Sequence, residues 1–379
     1  MIATSRRAIF GLVLLSASTS LAQIVTDGTV GPRASLSGPD LTIGAELGTT
    51  KGTNLFHSFQ TFDIPTAHTV TFTGPDQIQN VISRVTGGQA SKIDGTLRSQ
   101  VGKADVFLVN PSGVVMGPNA QVDVPAAFHV STADEVRFTD GSRYSASDPA
   151  ASSLTMAAPE SFGFLSPQPA SLTINGSQLE LKPGKTATLT AGDVAITGSA
   201  GRQASLRAPG GEIRIEAVGN QGGQVPVTKA SERPGSGKLT VKQARIETSG
   251  KNGGAISARA GEATLSDATL AADNQGHLDA TGGIDLMVSN TLNLSASRIQ
   301  SNAFGAGTAG GVRLRATDLD IQQAGAPSLT GVFSEVEPGA AGASGGVDVV
   351  LDGWLRIQGA AGIAGSTHGA GAAGAVRVN

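Results

Sequence analysis

The sequence predicts an all-β protein: a right-handed parallel β-helix, that is, a single-stranded β-solenoid with three strands per coil and a few extra hairpin strands near the N-terminus. Three observations predict it. Glycine supplies 52 of 379 residues, about 14% and roughly twice its usual share, which favours closely spaced turns. Aromatic residues make up only 4%, so thin layers of Val, Ile, Leu and Ala must fill the core. Units of nearly constant length recur in the C-terminal half.

Residues 1–22 have the features of a cleaved signal peptide. Arg6 and Arg7 form a short basic region, residues 8–15 are apolar but too few to span a bilayer, and Ser20-Leu21-Ala22 is a small-x-small cleavage site. The arginine pair also resembles a twin-arginine signal, but an ordinary basic region is favoured. The chain has no cysteine, which excludes disulfides and thiolate metal sites after export.

The charged residues provide no electrostatic footprint for a nucleic acid. The formal net charge is −3, and the 27 basic and 30 acidic residues are spread along the chain. The charge pattern therefore does not favour anionic lipid, and no nucleic-acid partner is expected.

Short runs of alternating polarity, separated by Gly, Asn, Asp, Ser and Pro, predict many short strands. In Thr69–Thr73, for example, Val70 and Phe72 share one face, and Gly74-Pro75 ends the run. No segment after residue 22 keeps a helical period over ten residues, so helix content should be low.

A repeat in the C-terminal half decides the architecture. Its units begin at Gly253-Gly254-Ala255, Gly282-Gly283-Ile284, Gly310-Gly311-Val312, Gly345-Gly346-Val347 and Gly374-Ala375-Val376. Counting between residues 255, 284, 312, 347 and 376 gives spacings of 29, 28, 35 and 29, and the long unit holds an extra loop around Ala326-Pro327 and Glu337-Pro338. Two further strands in most units complete one triangular coil. Roughly 13 to 15 coils at about 4.8 Å each would make a rod of about 60 to 75 Å.

Two questions about the solenoid stay open at this point. Antiparallel hairpins in a sandwich are the alternative fold, and Asn175-Gly176 is the turn dipeptide that such hairpins prefer. Residues 374–379 repeat the opening strand of a coil, with Val376 and Val378 predicted to point inward. We therefore expect either that the natural protein continues or that this end associates with a partner chain.

Five segments in the N-terminal part carry a resemblance to a known family. They are Ile24–Thr29, Gly52–Phe59, Asn80–Gly88, Ile93–Gly95 and Phe107–Ala120. Their order and spacing resemble the N-terminal two-partner-secretion (TPS) domain of filamentous haemagglutinin family exoproteins, over nearly half of the mature chain. The usual Asn-Pro-Asn-Gly of the family is Asn-Pro-Ser-Gly here, and Met116 stands where Phe is common. The predicted domains are thus the signal peptide at 1–22, a TPS domain at 23–190 and glycine-rich β-helix repeats at 191–379.

The resemblance implies export. Family members cross the inner membrane unfolded and engage an outer-membrane β-barrel transporter through its periplasmic POTRA-type repeats. The expected location is outside the cell or on its surface, reached through the periplasm and outer membrane. The family's transporter-linked motif corresponds to Asn110, Pro111, Ser112 and Gly113. The other motif residues carried over are Asn54, Leu55, Phe56, His57, Asn80, Arg84, Gly87, Gly88, Asp94, Gly95, Gly117 and Asn119.

The residues 110–113 also have a purely structural interpretation. Pro111 presets φ for a turn, Asn110 can accept a hydrogen bond from the backbone two residues on, and Gly113 can adopt positive φ. A turn and a recognition motif are both compatible with these residue types.

The remaining polar residues give no sign of catalysis, a cofactor or a metal site. The histidines stand alone in sequence. Alternation predicts a solvated, outward His129, and a packing or hydrogen-bonding role is predicted for His57. Asp318 and Asp320 are expected on a solvated outer face. We expect no enzyme, and an adhesin-like or surface scaffold protein that meets glycans or proteins of host or neighbouring cells. The alternatives are a β-helical carbohydrate-active enzyme and the truncated delivery stick of a contact-dependent toxin.

Overall fold

The structure is a computed structural model that describes residues 24–199, 201–323, 325 and 329–379. The predicted signal peptide lies outside these residues. The described chain winds through three faces, which we call face A, face B and face C in the order in which each coil visits them. This arrangement confirms a parallel β-helix with three strands per coil and excludes the sandwich.

Face A is a sheet of 14 strands, most of them parallel. Its parallel strands are Asn54–Phe62, Asn80–Val85, Asp105–Val109, Phe128–Ser131, Thr186–Ala191, Glu212–Ala217, Ala255–Ala260, Ile284–Val288, Val312–Ala316, Val347–Leu351 and Val376–Val378. Three antiparallel strands accompany the first of them: Ile24–Thr26, Ser35–Leu36 and Thr49–Lys51. These confirm the extra hairpin strands predicted near the N-terminus.

Faces B and C contain the other solenoid strands. Face B comprises Ser91–Ile93, Val114–Met116, Leu172–Asn175, Val194–Thr197, Thr291–Ser295, Asp318–Gln322 and Leu355–Gln358. Face C comprises Asp40–Ile43, Thr69–Phe72, Thr96–Ser99, Gln121–Asp123, Gln178–Glu180, Ala204–Arg207, Arg298–Gln300, Thr330–Phe333 and Ala361–Ala364. Two long strands, Lys238–Glu247 and Glu262–Ala271, run through both faces and bend at Gln243 and Asp267, whose φ angles are 48° and 50°. One left-handed residue is enough to turn this corner.

Helix is scarce, as predicted. The helical elements of the described residues are two three-residue 3-10 helices, Ala45–Leu47 and Pro149–Ala151.

An antiparallel sheet lies against the outside of face A, and we call it the cover sheet. Its strands, in spatial order, are Arg143–Ser145, Glu135–Phe138, Pro159–Phe164 and Gly223–Pro226. Phe56, Ile82 and Phe107 point out of face A and pack with Tyr144 and Phe162 of the cover sheet. The N-terminal coils therefore have a second apolar core outside the solenoid.

The register of face A explains the sequence repeat. Ile256 pairs with Ile284, Ile284 with Val312, Val312 with Val347, and Val347 with Val376. The true spacings are therefore 28, 28, 35 and 29, and the first predicted spacing, counted from Ala255, was one residue too long. Identical registers place apolar side chains in inward columns, which fill the core coil by coil.

The predicted number of coils was too high. Eleven parallel strands stack on face A in the described residues, which corresponds to ten steps of about 4.8 Å, or about 48 Å. The estimate failed because residues 132–171 and 218–237 leave the solenoid, mainly to build the cover sheet and its connections.

Candidate functional site

The sixteen predicted motif residues do not form one pocket. Most of them divide among three places: the turn at residues 110–113 with the turn stacked beneath it, a polar cluster beneath the cover sheet around Arg84, and a corner ladder around Asp94. Leu55 lies in the solenoid core, and His57 packs beside it on Phe59. Each place joins successive coils or joins the solenoid to the cover sheet, as the following contacts show.

The turn at residues 110–113 connects face A to face B. Asn110 is fully buried, and its side-chain oxygen accepts the Ser112 N–H at 2.9 Å, as predicted. Its amide nitrogen donates to Gln89 O at 2.9 Å and to Ser91 Oγ at 3.0 Å in the preceding coil. Asn110 thus satisfies its own turn and the turn beneath it, whereas Pro111 and Ser112 are half-buried.

Glycines make the stacking of these turns possible. Gly113 has a φ of 112° and Gly88, in the preceding turn, a φ of 74°, both in the region that favours glycine. Gly87 has no room for a side chain, because a Cβ there would collide with the carbonyl oxygen of Gln60.

Two asparagines tie the first coils to the connection within the cover sheet. Asn80 Nδ2 donates to Asn54 Oδ1 at 2.8 Å. Asn54 Nδ2 in turn donates to the carbonyl oxygens of Thr155 and Ala157, at 3.0 and 2.7 Å. Asn54 is fully buried, so its amide replaces water as the partner of this irregular backbone.

Arg84 lies at the centre of the polar cluster. It is only 1% exposed, and its guanidinium donates to Ser58 Oγ and Thr29 Oγ1 at 2.8 Å each. It also donates to Ser145 O and Ser152 Oγ at 2.5 Å each, and it lies 4.2 Å from the centre of the Tyr144 ring. One side chain therefore joins the N-terminal hairpin, face A and the cover sheet.

Asp94 organises the corner between faces B and C. Its carboxylate accepts hydrogen bonds from the Thr66 hydroxyl of the preceding coil and from the backbone and side-chain nitrogens of Asn119 in the next. Burial raises the pKa of Asp94, but these hydrogen bonds outweigh it and hold the pKa below its ordinary value. A Cβ at Gly117 would collide with the same carboxylate, and one at Gly95 with backbone carbonyls.

His57 packs as predicted. It is fully buried, stacks on Phe59 with centroids 6.0 Å apart, and places Nε2 3.1 Å from Gly44 O. Burial lowers its pKa to about 4, so the ring is neutral. Its neighbours Leu55 and Phe56 are buried on opposite sides of the strand, in the solenoid core and beneath the cover sheet.

The predictions of a solvated His129 and a solvated Asp320 were wrong. His129 points out of face A, as alternation requires, but it stacks on Phe107 at 4.4 Å and is 3% exposed, because residues outside the solenoid cover it. Burial lowers its pKa to about 3. Asp320 is 8% exposed because Gln322 donates to it and Arg356 lies 3.7 Å away.

Sequence reasoning missed two partners of the polar cluster. Asp27 accepts from Ser58 Oγ at 2.6 Å and Thr86 Oγ1 at 2.8 Å, and Tyr144 donates to His57 O at 2.8 Å. Asp27 lies in a segment that carries the family resemblance, and Tyr144 is the single tyrosine of the chain. The sequence therefore singles out both residues, but it does not show that Asp27 binds Ser58 and Thr86 or that Tyr144 binds His57.

Two kinds of feature are absent from the described ranges. These ranges contain no group of three or more His, Cys, Asp or Glu that could hold a metal ion. They also contain no helix long and apolar enough to cross a membrane.

A family model described as the TPS secretion domain matches residues 22–280. The heme/hemopexin-binding protein of Haemophilus influenzae is 38% identical over 82 residues, which are 22% of this chain and 9% of that protein. The match therefore spans less than a tenth of that relative's length.

Two solved structures are similar in outline. The secretion domain of HMW1 from Haemophilus influenzae gives a TM-score of 0.46 at 15% identity, covering 95% of this chain and 100% of that one. The filamentous hemagglutinin secretion domain gives a TM-score of 0.38 at 16% identity, covering 90% and 100%.

Proposed function

Because the chain belongs to the TPS secretion domain family, we propose that a dedicated outer-membrane β-barrel transporter exports it and binds it through periplasmic POTRA-type repeats. TPS domains belong to exoproteins of two-partner secretion, which cross the outer membrane to the cell surface or the medium. The observation that carries the proposal is the family match over residues 22–280. A solenoid suits this route, since each coil can fold onto the previous one as it emerges.

Within this proposal, the turn at residues 110–113 has two separable roles. Asn110 is internal and holds the turn through bonds to residues 89, 91 and 112. Pro111 and Ser112 form the accessible part of the turn, and we assign contact with the transporter to them. Asn110 would then act on recognition only by keeping the turn in shape.

Secretion into the medium tests the proposal. The chain is expressed with and without its transporter, and the folded protein outside the cell is measured. We expect export only with the transporter, and equal amounts in both cultures would contradict this.

Three variants separate the roles of the turn. Ser112→Arg leaves the bonds of Asn110 in place but blocks the surface, so we expect a folded protein whose export falls. Asn110→Ala removes three hydrogen bonds and should lower both stability and export. Asn290→Arg is the matched control, an exposed residue between a face A strand and a face B strand further along the rod. Normal export of Ser112→Arg would leave the turn a structural element only.

The mature rod further serves, in our proposal, as an adhesin-like or surface scaffold protein. Support comes from the repetition of long faces along the solenoid, which offers many equivalent positions to a surface partner. Binding of the purified protein to host or neighbouring bacterial cells is the test, with polysaccharide hydrolysis measured alongside. Hydrolysis without cell binding would favour a carbohydrate-active enzyme instead.

A further inference from the structure

A column of residues with buried polar atoms that make no hydrogen bond runs along the outside of face A. His129, Thr188, Arg214, Ser257 and Asp285 pair in register over five successive coils. Within the described part of the chain, each contributes a buried side-chain atom that makes no hydrogen bond: His129 Nδ1, Thr188 Oγ1, Arg214 Nε and Nη1, Ser257 Oγ and Asp285 Oδ1. Buried polar groups are normally hydrogen-bonded, so the atoms of this column that face an open space, those of His129 and Arg214, are available to bind a ligand there.

A strap of the chain lies over face A beside the middle of this column, on Glu216 and Arg259, which stand two residues further along the same strands as Arg214 and Ser257. Ser231 binds Glu216 through its N–H at 2.8 Å and Arg259 through its carbonyl oxygen at 2.7 Å. Val227, four residues earlier, is 3% exposed and donates its N–H to Glu160 O at 2.9 Å. These ties hold residues 227–231 over face A.

A cavity of about 370 Å³ opens beside the strap. Two cationic side chains, Lys185 and Arg214, and two carboxylates, Asp105 and Glu212, line it together with His129. Arg214 is 5% exposed, and its nearest acidic partner is Glu212, with Nε and Oε1 3.4 Å apart. Arginine cannot shed its charge to escape burial, so the N–H groups of Arg214 that make no hydrogen bond can donate to a ligand.

The two positive and two negative side chains of the cavity balance each other, and this balance favours an uncharged polar ligand over an ion. A simple anion would meet Asp105 and Glu212, and a simple cation would meet Lys185 and Arg214. A hydroxyl group both donates and accepts, so neighbouring hydroxyls can bind carboxylate and guanidinium at once. The lining also includes Ala126, Ala127 and Val227, which offer an apolar surface to C–H groups.

We propose that this cavity binds one saccharide unit, with Arg214 donating to its hydroxyl oxygens and Asp105 and Glu212 accepting from its hydroxyl hydrogens. The inference supplies a ligand class for the adhesin-like role and rests on that part of the proposed function. It is tested on purified, folded protein, so failure of export would leave the binding result unaffected.

Saturation-transfer NMR with glucose, galactose and N-acetylglucosamine tests the proposal, with acetate and tetramethylammonium as ionic probes. We expect at least one sugar to bind with a Kd on the order of 1 mM. Arg214→Met and Asp105→Asn should each weaken that binding by roughly tenfold. Arg313→Met and Asp348→Asn are the matched controls, since this exposed pair continues the same column and should leave binding unchanged.

The two substitutions respond oppositely if the ligand is ionic. An anion site would bind acetate, more tightly in Asp105→Asn, and a cation site would bind tetramethylammonium, more tightly in Arg214→Met. Either result would overturn the proposal, as would failure of all three sugars to bind or sugar binding that neither substitution alters. If Arg214→Met does not fold, Asp105→Asn decides alone, because it must weaken a sugar but strengthen an anion.

Discussion

The N-terminal coils, residues 54–131 with the cover sheet, and the C-terminal coils, residues 255–378, share one solenoid but are held together differently. In the first region, side chains join segments far apart in sequence: Arg84 reaches Thr29 and Ser152, and Asn54 reaches Ala157. In the second, the parallel strands of each coil pair with those of the adjacent coils. The N-terminal region should therefore unfold as one unit, whereas the C-terminal coils should behave as a nearest-neighbour array.

The core residues show the same difference. Nine of the 12 phenylalanines lie between residues 56 and 164, and all nine are buried. The core of the C-terminal coils consists of Ile, Leu, Val and Ala. Large side chains need a particular arrangement around them, while small ones allow coils to be added repeatedly.

The largest expected effect comes from Arg84→Met. Methionine fills similar space, but four oxygen atoms lose their charged donor and the three segments lose their common link. We expect a loss of about 3 to 5 kcal/mol in the unfolding free energy of the N-terminal region. Urea unfolding, followed by hydrogen exchange of peptides in each region, measures it.

Arg313→Met serves as the control for Arg84→Met. Arg313 is exposed and its Nε lies 3.8 Å from Asp348 Oδ2, and exposed pairs contribute little, so a change below about 1 kcal/mol is expected. Equal losses in the two variants would show that the regions do not differ in this way.

Gly310→Ala should produce a smaller and more local effect. A Cβ at residue 310 would collide with the carbonyl oxygen of Gly282 in the preceding coil, so the two turns must separate. We expect about 2 to 3 kcal/mol of local destabilisation, seen as faster hydrogen exchange in the strands at 284–288 and 312–316 while residues 54–131 stay protected.

Gly362→Ala is the control for Gly310→Ala, since a Cβ at residue 362 would meet open space. Exchange that accelerates along the whole rod in Gly310→Ala would show that the C-terminal coils are one cooperative unit after all.

The two regions also differ in how far the sequence predicts them. Constant spacing and in-register columns allowed the repeat positions of the C-terminal coils to be predicted to within one residue. The one error is the first repeat position, which is Ile256 and not Ala255. The cover sheet was not predicted, because its strands alternate like solenoid strands and their antiparallel pairing depends on a long excursion. His129 was misplaced for this reason: alternation gives the direction of a side chain but not what covers it.

Of the contacts in the candidate site, the sequence predicted only those between residues close together in the chain. The bond from Ser112 to Asn110 spans two residues and follows from residue type. The bonds of Asn110 to Gln89 and Ser91 depend on which turns stack, and the ties of Arg84 depend on a sheet outside the solenoid. The family resemblance identified Asn110 and Arg84 as motif residues. Their contacts could not be predicted without knowing which strands and turns lie next to each other.

The smallest effect per residue that separates the regions is the response of single buried histidines to acid. Both strongly buried histidines, His57 and His129, lie in the N-terminal coils, where burial lowers their pKa values to about 4 and about 3. In the unfolded chain each ring binds a proton near pH 6.5, so the unfolded state takes up protons first as the pH falls. Stability should therefore decline below about pH 6.5, by about 2 kcal/mol per histidine at pH 5.

Replacing one ring tests this origin of the acid response. His129→Phe keeps the stack on Phe107 but cannot bind a proton, so it should remove about half of the acid-induced loss between pH 7 and pH 5. His277→Phe, an exposed position in the C-terminal coils, should remove none. Hydrogen exchange of the strands at 105–109 and 284–288, at both pH values, resolves the two regions. If the strand at 284–288 loses as much protection in acid as the strand at 105–109, buried histidines are not what distinguishes the regions.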